Sequence, residues 1–167
     1  MITSITNLTR RPGARVRALV PGRKVHLIDI ENLCGSGRPS RSQVALARVR
    51  YEESVKVNEG DLVIVASAFG NLMSAALGWP GVRYLGRNGK DGADICLASV
   101  IVEERVSERF DSVVMASGDG GLAPFVAHLA GRGLDTTVVS YRKPLSRQMR
   151  MAAHTCIVLN PELEDIA

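Results

Sequence analysis

Several stretches of this chain are nearly unbroken apolar runs: KVHLIDI (24–30), DLVIVAS (61–67), DSVVMAS (111–117), LDTTVVSY (134–141) and the weaker HTCIVL (154–159). They do not alternate apolar with polar residues, as a half-exposed strand would. A strand that is apolar at successive positions has both faces buried, which is the condition of a parallel sheet covered by helices. The intervening segments supply those helices: SRSQVALARVRYEESVKV (40–57), GNLMSAALGW (70–79), GADICLASVIVEERVSERF (92–110), LAPFVAHLAGRG (122–133) and PLSRQMRMAA (144–153). GVRYLG (81–86) reads as one further, weaker strand. In 92–110 the residues Ile95, Ala98, Ile101, Val102 and Val106 recur at helical spacing, which predicts one long helix with these positions inward. The pattern predicts an α/β fold with a central, mainly parallel sheet and helices on both faces.

Charge divides the chain. No acidic residue precedes Asp29, whereas Arg10, Arg11, Arg15, Arg17, Arg23 and Lys24 do. Removing those six cations from the net +4 leaves about −2 for the rest, so the basic character belongs mostly to the N-terminal end. Residues 1–22 are therefore read as a basic flexible arm, suited to nucleic-acid phosphates or an acidic partner, and 23–167 as one domain. Pro12 and Gly13 interrupt any amphipathic targeting helix there. The apolar runs fall far short of the roughly 18 residues of a membrane span. Cys34, Cys96 and Cys156 form no CxxC pair or zinc pattern, and Cys96 and Cys156 read as small core residues in a reducing compartment. A cytoplasmic location without membrane attachment is the expectation.

In parallel α/β sheets, ligands bind beyond the carboxyl ends of the strands. Asp29 stands near the tip of the first strand, with Glu31 and Asn32 just beyond it. Ser117, Gly118 and Asp119 end the strand at 111–117, and Asp91 and Asp94 open the long helix. Three segments thus aim carboxylates at one edge. Like charges gathered together call for an offsetting cation, and oxygen-only ligands select a hard ion such as Mg²⁺ or Mn²⁺. Each acid also has a structural explanation: Asp91, Asp94 and Asp119 are placed to cap helices or turns. Asp29, inside an otherwise apolar strand, is the hardest to explain in that way.

Gly118-Asp119-Gly120-Gly121-Leu122-Ala123 formally matches a dinucleotide fingerprint. A Rossmann fingerprint lies on the first strand–helix turn, however, and the next strand ends in an acid. Here the turn is late, the next strand ends Val139-Ser140-Tyr141, and a carboxylate occupies the loop. The glycines are better read as allowing a tight turn with space around Asp119 for a large anionic substrate. His26, His128 and His154 pair with no Cys or Ser at catalytic spacing and are read as structural. No GxSxG elbow supports a serine hydrolase.

The segments LIDIENL, GKDGADICLA and VVMASGDGGLAPFV…GRGLDTTVVS together resemble the NYN domain, a branch of the PIN-like ribonucleases, over about Lys24 to Tyr141. The resemblance implies a three-layer, Rossmann-like sandwich. It also implies a Mg²⁺- or Mn²⁺-dependent ribonuclease acting on RNA. Asp29, Asp94 and Asp119 match the acids implied as metal ligands, Asn32 matches an asparagine shortly after the first, and Ser117 and Gly118 match the Ser-Gly that precedes the third. Many members carry a second acid where this chain has Gly121, and another where it has Ser99 and Val100. Glu31 or Asp91 are candidates for a fourth ligand, and the number of ions stays open. PIN-like relatives often pair, so a homodimer is an open expectation.

The leading expectation is metal-dependent hydrolysis of RNA at Asp29, Asp94 and Asp119, with Asn32 and Ser117 orienting ligands or the scissile phosphate. Lys90, Arg142 and Lys143 are candidate phosphate contacts, the last two within a cluster that includes Arg147 and Arg150. Two alternatives stand beside it. One is a degenerate module that binds RNA or a protein partner without cleaving. The other is a phospho-acceptor site, for which Ser140 and Lys143 would have to serve as the auxiliary residues.

Overall fold

The computed structural model describes residues 22–160; all but the last residue of the arm expected at 1–22, and residues 161–167, lie outside the described residues. The order of elements is β1 (Lys24–Asp29), α1 (Ile30–Cys34), α2 (Arg41–Ser54), β2 (Leu62–Ser67), α3 (Leu72–Gly78), β3 (Arg83–Gly86), α4 (Gly92–Glu103), α5 (Val106–Arg109), β4 (Ser112–Ala116), α6 (Ala123–Gly131), β5 (Asp135–Tyr141), α7 (Arg147–Ala152) and β6 (Thr155–Leu159). The strands make one six-stranded sheet in the order β3-β2-β1-β4-β5-β6, and every pair is parallel. This is a three-layer α/β sandwich, as the apolar runs require.

The runs are continuous because each strand feeds two cores. Val25 and Leu27 of β1, with Val113 and Met115 of β4, face one core with Leu97, Ile101, Val126 and Met149 of the helices. Ile28, Val114 and Ala116 face the other, with Leu33, Val44, Tyr51 and Trp79. Successive residues point to opposite faces, so both must be apolar.

The expected single helix over 92–110 is corrected to two. Arg105 adopts a left-handed conformation (φ 53°) and separates α4 from α5. Glu104 holds the break by pairing with Arg83 of β3 at 2.6 Å and with Arg109 at 3.1 Å. The inward face also differs from the periodic expectation. Ile95 and Val102 are 39% and 61% exposed, while Ala93, Leu97, Val100 and Ile101 carry the packing. Helical spacing fits more than one stripe on so apolar a helix, and the sheet's position selects one.

The strand order reverses between β1 and β4. β1 leads to β2 and β3 on one side, and β4 leads to β5 and β6 on the other. A crevice forms at such a switch point, beyond the carboxyl ends of the two strands. Asp29 ends β1 there, and Ser117-Gly118-Asp119 follows β4.

Candidate active site

Asp29 is both the last residue of β1 and the N-cap of α1. It is 6% exposed, and both carboxylate oxygens are engaged: the Asn32 backbone N–H donates to Oδ1 at 3.1 Å and the Ser117 hydroxyl to Oδ2 at 3.2 Å. α1 closes after one turn because Gly35 takes a left-handed conformation (φ 64°). Asn32 is thereby held against β4, and its Oδ1 accepts the Gly118 N–H at 2.9 Å. The Asp119 N–H donates to the Ser117 hydroxyl at 3.2 Å. Ser146 donates its N–H to the Gly118 carbonyl at 2.9 Å and ties the turn before α7 to the same seam.

Asp119 reaches back over its own turn, where Gly121 N–H donates to Oδ1 at 2.8 Å. Its capping explanation is thus correct, and its carboxylate is still exposed at the edge. A Cβ on Gly121 would lie 3.3 Å from Asp119 Oδ1 and 3.8 Å from Asp94 Oδ2, so those two carboxylates flank one small volume. Asp94 caps nothing: it sits in the first turn of α4, and the N-cap position belongs to Asp91, whose side chain makes no capping bond.

Asp94 Oδ1 is buried and receives no hydrogen bond from the described residues. Such an atom is unfavourable as an anion unless a proton or a cation meets it. Burial first, then the charges of Asp29, Asp119, Asp91 and Glu31, push its pKa up to about 7. Asp29 is pushed up to about 6, first by burial, then by Glu31 and Asp119, against the opposing bonds from Asn32 and Ser117. The acids therefore form one electrostatic unit.

A stability consequence follows from linkage. An acid whose pKa is higher folded than unfolded binds its proton more tightly when folded, so stability falls as pH rises from about 4 towards 7. Above about 7 the full cost of the anions is present. In metal-free protein at pH 8, Asp94→Asn should be more stable than the native chain by about 1–2 kcal/mol, allowing for partial exposure. The gain should disappear at pH 4. Thermal melting in a chelator at both pH values checks this, and an equal gain at pH 4 would deny the charge origin.

The other candidates separate. Glu31 is engaged elsewhere: its Oε1 accepts the Ala68 N–H at 2.6 Å and the Asn71 side-chain amide at 2.7 Å, fixing the turn after β2. Asn71, absent from the sequence expectations, also donates to the Gly37 carbonyl at 3.0 Å. Lys90 and Asp91 are exposed in the loop between β3 and α4, with Asp91 left-handed at φ 58°. Arg142 and Lys143 are exposed in the turn after β5, which packs onto Gly118 through Pro144. Ser140, needed by a phospho-acceptor reading, is buried and donates its hydroxyl to the Tyr141 carbonyl at 3.1 Å.

His26 is buried between the Tyr51 hydroxyl (2.7 Å) and Asp61 (3.2 Å), a structural role as expected. Cys96 and Cys156 are only partly buried and pack against the edge of one core, short of the core position expected for them. No helix among the described residues is long and apolar enough to cross a membrane.

The NYN domain family model matches residues 25–160. Among solved structures, the fold is similar to that of a crystallised protein of unknown function from Vibrio parahaemolyticus. The TM-score is 0.59 at 14% identity, covering 84% of this chain and 94% of that one, a likeness of fold alone. No curated protein matches the chain.

Proposed function

The chain belongs to the NYN domain family of the PIN-like superfamily, and on that premise we propose that it is a divalent-metal-dependent ribonuclease working at the edge formed by Asp29, Asp94 and Asp119. Members of the family are usually ribonucleases. The observation that carries the reading for this chain is Asp94 Oδ1, a buried carboxylate oxygen with no donor among the described residues, set among other acids.

Among the described residues, no three acidic, histidine or cysteine side chains converge into a ready-made metal cage. That suits Mg²⁺ or Mn²⁺, which retain waters and take substrate oxygens as ligands. Asp29, Asp94 and Asp119 would hold the ion, in part through water. When bound, it supplies charge neutralisation at the phosphate and a water acidified enough to attack near neutral pH.

The chain's own residues supply position. Ser117 and the Asn32 N–H fix the Asp29 carboxylate so that it needs no reorganisation. Asn32 uses its oxygen for Gly118, so its amide N–H₂ is the group it would offer a ligand. Lys90, Arg142 and Lys143 offer cations to the RNA backbone, without base selectivity of their own. Asp91 and Glu31, whose Oε1 serves the turn after β2, are the candidates for a further acid.

Cleavage of a labelled single-stranded RNA in low salt, with Mn²⁺ or Mg²⁺ and with EDTA beside it, tests the proposal. The expected result is cleavage that requires the ion. RNA binding that weakens with salt but never yields cleavage would favour the alternative, a binding module that has lost its chemistry, in keeping with Gly121 where many relatives carry an acid.

A further inference from the structure

A groove of about 1210 Å³ opens beside the acidic edge. Its walls are α1 with the 35–37 turn, Gln43, Leu46, Ala47 and Arg50 of α2, and the turn after β5. Leu46 and Ala47 give it an apolar side. Asn32 stands at the boundary, lining the groove while its Oδ1 receives the Gly118 N–H from the site. Arg142 and Lys143 form a cationic rim. The Tyr141 hydroxyl accepts from Arg50 Nη1 at 3.2 Å, so its own proton is directed elsewhere.

We propose that this groove is a nucleobase subsite: it receives the unpaired base of a nucleotide neighbouring the scissile phosphate, while Arg142 and Lys143 hold the adjoining backbone. The inference rests on the ribonuclease reading and adds to it a contact with a base beside the contacts with phosphate. Three features select this occupant. The groove meets the site at Asn32, whose N–H bonds Asp29 and whose Oδ1 accepts from Gly118. Its rim carries the charge that phosphates need. Its apolar wall with a few polar groups suits a flat heteroaromatic ring rather than bare phosphate. A base locked in a duplex cannot enter without unstacking, so the duplex probe should bind the groove less tightly than the single strand. The groove thus provides base contacts that the scarcity of aromatic residues would otherwise deny.

The test is binding by fluorescence anisotropy, using the full chain in EDTA so that nothing is cleaved. The probes are a short single-stranded RNA, the same sequence as a duplex, and an abasic ribose-phosphate oligomer of equal length. The native chain should bind the single strand roughly tenfold more tightly than the abasic oligomer. Leu46 is 44% exposed, so Leu46→Glu and the neutral Leu46→Gln should both fold. Both should erase most of the preference for bases. Joint Arg142→Glu and Lys143→Glu substitution should weaken both single-stranded probes alike.

Equal affinity of the native chain for RNA and the abasic oligomer would overturn the subsite. So would an unchanged base preference in both Leu46 variants, including the case where they alter only self-association or protein binding. The two readings fail separately. Metal-dependent cleavage without base preference removes the subsite alone. Base preference without cleavage removes the nuclease and overturns the placement beside a scissile phosphate, leaving a base-binding groove on a non-cleaving module.

Discussion

Asp29→Asn is expected to lower kcat/KM for single-stranded RNA by roughly 10³-fold, about 4 kcal/mol of transition-state stabilisation, while the chain stays folded. The amide keeps the shape of the carboxylate. Its oxygen can still accept the Asn32 N–H, and Ser117 can turn its hydroxyl to accept instead of donate. What is lost is the charge at the tip of β1, next to the strand reversal where the phosphate would sit. Removing an anion there should leave RNA affinity unchanged or slightly improved, which distinguishes lost chemistry from lost binding. Cleavage equal to that of the native protein would show that the activity belongs to something else in the preparation.

The second large effect concerns backbone. Gly118→Ala is expected to cost about 2–4 kcal/mol of stability, because the new methyl has no room. It would meet the Pro144 carbonyl and lie 2.6 Å from the Ser140 hydroxyl oxygen. The Pro144 turn cannot retreat without stretching the Ser146 N–H bond to the Gly118 carbonyl, so strain reaches Asn32 and the site as well. Gly120→Ala is the control. Its methyl would find its nearest neighbours at 3.3 and 3.4 Å, at the ends of Ser146 and Gln148, which can shift. Urea unfolding should therefore separate the two variants clearly. Equal midpoints would mean that the turn after β5 does not pack on Gly118 as described.

These contacts also show what a sequence can and cannot disclose. The sheet was legible because burial on both faces leaves a mark on every residue of a strand: Val113, Val114, Met115 and Ala116 are all apolar, whichever core they meet. Asp29 was legible for the opposite reason, as a charge in such a run. Ser117-Gly118-Asp119 followed from its place at a strand end. The role of Glu31 was not legible, because its partners Ala68 and Asn71 come from another strand's turn and no local spacing links them. The division of α4 from α5 turns on the left-handed Arg105 and on Glu104 reaching Arg83, neither of which periodicity records. The groove was hidden for a similar reason. Its walls belong to α1, α2 and the turn after β5, and only the strand order makes them neighbours.

The stability expected for Asp94→Asn would tie folding to function. The carboxylates whose charge burial opposes are the ones that would gather a cation. A structural explanation of Asp94 would require a donor for its buried Oδ1, and the described residues supply none. A site that is costly when empty and stabilised when filled is common where folding yields to chemistry.

The most direct measurement is the chemistry of the ends left on a labelled single-stranded RNA by the full chain with Mn²⁺, with EDTA and Asp29→Asn beside it. Attack by water leaves one phosphomonoester and one hydroxyl end. The account predicts those ends, no 2′,3′-cyclic phosphate, and loss of both products in EDTA and in the variant. Cyclic phosphate ends that form equally in EDTA and in Asp29→Asn would contradict it.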